Sequence, residues 1–163
     1  SPIRIILTRR SMENSKLYKP TRNHIKAIAV AKSIWDSASP ADSQHQYLIN
    51  KGIQPHEVRQ TRRDGQDVLL VPMKDKKGEM WNLQRIYPNG EKLFLNGGRV
   101  TGKFFTFGCP NGVQVICEGY ATGASIHEAT DLCVHVAFNC NNLKAVAEAI
   151  DALYPEANHC CRR

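Results

Sequence analysis

In the stretch VICEGYATGASIHEA, Val115 to Ala129, an apolar strand runs into Glu118, then into Gly119 and Gly123 around Tyr120, Ala121 and Thr122, then into a run of helix formers. Ligands of open α/β sheets collect beyond the carboxyl ends of the strands. A helix N-terminus placed there favours negative charge through its free amides. Glycines let the backbone turn tightly and be approached closely. A carboxylate in this position repels a bare phosphate but can hold a divalent cation, and the cation can bridge to phosphate. One carboxylate holds Mg2+ weakly, because the ion keeps most of its waters. A working site therefore needs further acids from neighbouring strand ends. The competing reading is that Glu118 caps the following helix, and the pattern alone leaves both open. The G-Y-A-T-G run is neither a dinucleotide fingerprint nor a Walker A loop.

Other residues carry weaker signals. Asn139, Asn141 and Asn142 follow a second apolar strand at another carboxyl end. They are read either as contacts to a nucleotide or phosphate, with Asn139 best placed, or as helix caps. Arg85, Lys92 and Arg99 are candidate phosphate contacts, Arg99 through its G-G-R turn at Gly97 and Gly98. Trp81 and Tyr87 have faces on which bases stack, with a core role the simpler reading for Trp81. His135 alternates within a strand and reads as structural, and Glu128 as a solvated helix residue. The six cysteines form no C-x-x-C pair, so zinc is not expected. Cys117 and Cys133 lie in apolar runs and read as core.

The elements that must position these residues follow from periodicity. Thr21 caps a helix over about 22–37, with Ile25, Ile28 and Trp35 near helical spacing. Pro40 ends it, and Asp42 or Ser43 caps a short helix to about 51 before Gly52. From Val58 the period becomes two. DVLLVPMKD and EMWNLQRIYP form strands around KKGE, and Asn89-Gly90 signals a hairpin. KLFLNGG and KFFTFG continue this antiparallel meander. From Val113 a β-α-β-α order implies parallel strands with right-handed crossovers, and 157–161 opens a third strand. The organisation is thus a basic tail or linker over 1–20, helices plus meander over 21–112, and an α/β unit over 113–163.

The chain of 163 residues suits one compact domain. Its formal net charge of +7 favours a polyanionic partner, with arginines and lysines concentrated over 9–32 and 59–63. No window holds the roughly 18 apolar residues of a membrane span, and SPIRIILTRR lacks the long core of a signal peptide. The expectation is a cytoplasmic protein without a membrane partner.

The block CEGYATGASIHEAT, with VAFNCNNLKAVAEAI and YPEA after it, closely resembles the Toprim domain of TraC-type plasmid and phage DNA primases. LLVPMKDKKGEMWNLQRIYPNGEKLFLNGGRVTGKFF, YLINKGI and the IW…ASPA segment extend the likeness over roughly Ile25 to Ala157. The resemblance implies an α+β fold: a helical N-terminal segment, an antiparallel meander and a partial Toprim unit with parallel strands. It implies a Mg2+- or Mn2+-dependent nucleotidyltransferase making primers on single-stranded DNA from nucleoside triphosphates, with a replicative helicase as a further partner. Glu118 maps onto the family's first acidic motif, as metal ligand or general base. Gly119, Thr122, Gly123, Asn139, Arg99, Arg85 and Lys92 are then the nucleotide- or nucleic-acid-phosphate contacts. The family's second acidic motif, D-x-D, belongs where this chain reads ANHCCRR, and no Asp follows Tyr154. The expectation is a fragment or truncated form of such an enzyme. The alternatives are a non-catalytic DNA-binding or replication-accessory module, and a different Toprim activity such as a nuclease or topoisomerase.

Overall fold

The computed structural model describes residues 18–110 and 112–155, and the backbone of 158–162. Most of the segment read as a basic tail therefore lies outside the described residues. The fold is α+β, built from two sheets that share a core. Helix α1 (Arg22–Ser37) starts at Thr21, whose hydroxyl accepts from the His24 amide while the His24 ring accepts from the Thr21 amide. Its buried stripe is Ala27 and Ala31, with Ile34 and Trp35 packed behind. Ile25, read as part of that stripe, is 56% exposed. Strand β1 (Ser39–Pro40) precedes α2 (Gln46–Lys51). The α2 cap is His45, not Asp42 or Ser43, and Gly52 closes the helix at φ 64°.

Strands β2 (Arg59–Arg63), β3 (Gln66–Lys74), β4 (Met80–Ile86) and β5 (Lys92–Phe94) complete an antiparallel sheet in the order β1-β2-β3-β4-β5. β3 is buried on both faces. Leu70 packs under α1 with Met80, Leu83 and Leu95, while Leu69, Val71 and Met73 face the second sheet.

The second sheet contains β6 (Phe105–Phe107), β7 (Val113–Cys117), β8 (Cys133–Val136) and β9 (Asn158–Arg162), in the order β6-β8-β7-β9. β7 pairs in parallel with β8 and β9, and β6 lies antiparallel on β8. KFFTFG therefore does not continue the meander. Among the described residues a single bridge between Lys74 and Phe104 remains on that side, and Phe105–Phe107 pair with Val134–Val136. The reason is non-local: Phe105 and Phe107 fill the space between the sheets beside Tyr120. Helices α3 (Tyr120–Thr130) and α4 (Leu143–Leu153) connect the parallel strands. Among the described residues no helix is long and apolar enough to cross a membrane.

Candidate functional site

Glu118 follows the last residue of β7, which lies between β8 and β9. Strand β7 is anchored on one side by the Ala137 amide, which donates to the Cys117 carbonyl at 2.8 Å. α3 begins two residues after Glu118, and the N-cap is Gly119, with no side chain capping the helix. The capping role considered for Glu118 is therefore not the one it has here. The first amides of α3, from Tyr120 to Thr122, have no intrahelical acceptor and open on the same end of the sheet as the Glu118 carboxylate.

The two glycines of this segment do different work. Gly119 has an ordinary extended φ of −110°. A Cβ there would meet only the Lys92 ammonium, at 3.9 Å. Gly123, read as part of a phosphate loop, is buried inside α3 and its amide donates to the Gly119 carbonyl. A Cβ at 123 would stand 2.8 Å from Phe107 Cε2, 3.0 Å from Val136 Cγ2 and 3.1 Å from Cys117 Sγ. Gly123 is a close-packing residue between helix and sheet. Its amide is committed and is not a phosphate donor. Thr122 is exposed on the first turn of α3.

Lys92 reaches this site and Arg85 does not, although both lie on the β4–β5 hairpin. Lys92 is paired with Ile86, on the face toward the second sheet, and Arg85 with Leu70 and Leu93, on the α1 face. Arg85 Nη2 donates to the Phe94 carbonyl at 3.5 Å, and its Nε is buried without a partner among the described residues. Lys92 sits beside the Tyr47 ring, as does Lys51. Partial desolvation and repulsion from Lys51 hold the Lys92 ammonium below the usual lysine range, and the Glu118 carboxylate pulls the other way. The site is thus a carboxylate, two ammonium groups and a helix N-terminus.

Asn139 lies at the carboxyl end of β8 next to Glu118's strand, and its Oδ1 accepts from the Asn142 amide at 3.0 Å. It caps the turn into α4. The preceding residue, Phe138, has φ 74°, a left-handed conformation that a bulky side chain adopts only when its surroundings impose it. Arg99 stacks on Tyr18, with its guanidinium carbon 3.4 Å from the ring centroid. Trp81 is half-buried, donates to Asp75 at 2.9 Å and carries the Lys103 ammonium 4.0 Å over its ring. His135 is satisfied by Thr106 and Gln114. Glu128 accepts from the Gln54 amide and faces His56 at 3.4 Å. Tyr120 is fully buried beside Phe105 and Phe107, and desolvation pushes its phenol far up. Sequence reading passed over Lys51 and Lys103, whose relevance depends on neighbours distant in the chain.

Among the described residues no group of three His, Cys, Asp or Glu side chains is assembled to hold a metal. The donor set fits a hydrated Mg2+ attached through one carboxylate. It does not by itself make a two-metal clamp.

The architecture matches the primase fragment of the bacteriophage T7 primase-helicase protein with a TM-score of 0.52, over 70% of this chain and 52% of that one. At 12% identity this likeness establishes the fold alone: an α+β primase-fragment fold. Two curated Escherichia coli relatives, both DNA primase TraC, are each 33% identical over 155 residues, or 92% of this chain. The chain is a TraC-like primase domain. It spans 14% and 10% of the lengths of those two relatives. No protein-family model matches the chain.

Proposed function

We propose that this domain serves primer synthesis on single-stranded DNA in plasmid or phage replication, polymerising nucleoside triphosphates in a Toprim-like site. The observation that carries the reading is the placement of Glu118: at the carboxyl end of a parallel strand, beside an uncapped helix N-terminus and two ammonium groups, in a chain related to DNA primase TraC. Lys92, Lys51 and the first amides of α3 meet the triphosphate, and Thr122 lies on the same turn. Arg99 meets the template backbone, and a replicative helicase is the natural partner. Glu118 holds the cation or accepts a proton from the attacking hydroxyl. A bound Mg2+ would supply charge neutralisation for the phosphates.

A second reading is favoured by the single carboxylate: a non-catalytic module that binds single-stranded DNA through its basic surface. The test is Mg2+-dependent incorporation of labelled nucleotides on single-stranded DNA by the wild type and by Glu118→Gln. Loss of at least 100-fold in the variant, with DNA binding retained, supports nucleotidyl transfer. Salt-sensitive DNA binding that ignores both Glu118→Gln and Mg2+ removal, with no incorporation by either protein, supports the binding module.

A further inference from the structure

Asn142 is a polar residue in the interior, 3% exposed. Its side-chain amide donates to the carbonyls of Val100, Lys103 and Ala137 at 3.1, 3.0 and 2.8 Å. Its Oδ1 accepts from the Gly102 amide at 2.7 Å. An asparagine amide has two N–H protons, so the three convergent carbonyls use its full donor capacity, one proton being shared between two of them. Three of these four partners lie in one turn, Val100 to Lys103, closed by the Lys103 amide on the Val100 carbonyl. The fourth, Ala137, donates its own amide to Cys117, the residue before Glu118.

The turn carries a half-buried Arg99 before it and, at its end, Lys103, which is only 8% exposed. Arg99 lies on Tyr18, Lys103 lies on Trp81, and the two rings are 6.0 Å apart. The order Arg99, Tyr18, Trp81, Lys103 is a ladder of cation, ring, ring, cation. Asp75, which accepts from Trp81, attracts the Lys103 ammonium more than Arg99 repels it, so Lys103 is held on its ring from within the fold. Asn142 holds the backbone of the turn that follows Arg99.

We propose that Asn142 is a positioning residue: it sets the placement of Arg99 for single-stranded nucleic-acid phosphates and ties that placement to the strand end that carries Glu118. The inference rests on the reading of the turn as a phosphate contact. The experiment is a thermodynamic cycle on the full chain, using oligo-dT anisotropy over a range of salt concentrations, with circular dichroism as a check on folding. Its proteins are the wild type, Arg99→Ala, Asn142→Ala and the double variant. Gly102→Ala replaces Asn142→Ala in a second cycle. At φ 74° a side chain at 102 strains the turn, yet nothing stands within 4 Å of it, so the fold survives.

In the wild type, Arg99→Ala is expected to weaken binding about fivefold or more and to lower the salt slope by about 0.7, the value for one phosphate contact on a single strand. In either turn-perturbed background the same substitution should cost less than twofold. A full Arg99 effect that persists in both backgrounds overturns the positioning role while leaving the phosphate reading intact. No Arg99 effect in the wild type overturns the phosphate reading and the positioning role with it.

Discussion

Replacing Gly123 by alanine separates a packing glycine from a ligand-binding one. Gly123 is the fourth residue of α3, so alanine gains about 1 kcal/mol of helix propensity. Against this stands a methyl group with three neighbours at 2.8, 3.0 and 3.1 Å. None can retreat easily. The Phe107 ring is wedged among Phe105, Tyr120 and His127, Val136 is a β-branched strand residue, and Cys117 is buried at the end of β7. Overpacking of a core costs typically ~1–3 kcal/mol, and three rigid contacts place this site at the upper end. The net expectation is a loss of about 2 kcal/mol, or a fall in Tm of about 4–8 °C for a chain of this size. Urea denaturation followed by circular dichroism measures it. Gly119→Ser is the control: its φ is ordinary and its only close neighbour is the mobile end of Lys92, so stability should stay within about 0.5 kcal/mol. A Gly123→Ala protein as stable as the wild type, or like responses at the two glycines, would refute the packing role of Gly123.

Further expectations concern ionisation. For Lys92, desolvation and Lys51 lower the pKa and Glu118 raises it. Glu118→Gln should therefore move the Lys92 titration down and Lys51→Gln should move it up, as followed by NMR of the ammonium group; the opposite order would contradict the site's electrostatics. The depressed pKa also has a sign for stability. Folding disfavours the charged form, so this penalty is fully present at neutral pH and is relieved as pH rises through the folded pKa toward the ordinary lysine value. Burial, with a smaller contribution from Cys109, pushes the Cys133 thiol up to about 11, whereas Cys109 and Cys140 are exposed. At pH 8 a maleimide should label Cys109 and Cys140 rapidly and Cys133 only after unfolding, read by peptide mass spectrometry; prompt labelling of Cys133 would mean that the first residues of β8 open.

Much of this protein is written in local pattern. Thr21 and the alanines after it determine α1, since a capped run of helix formers needs no distant partner to declare itself. The change to period two at Val58, the Asn89-Gly90 turn and the β-α-β-α order after Val113 identify the two sheets, and Glu118 stands out because a strand, a glycine and a helix meet there. What sequence left open is whatever depends on which face a residue shows and on what arrives from elsewhere. Lys92 and Arg85 read alike, yet strand alternation sends them to opposite faces. KFFTFG looks like one more meander strand, but Phe105 and Phe107 are worth more between the sheets, where they bury against Tyr120. Gly123 looks like a loop glycine until Phe107, Val136 and Cys117 close around it. Asn142 looks like a helix cap and proves to be a buried staple for a turn some 40 residues away. Local periodicity is set by backbone geometry within a few residues. Pairing, facing and burial are decided by long-range packing, which only the tertiary structure determines.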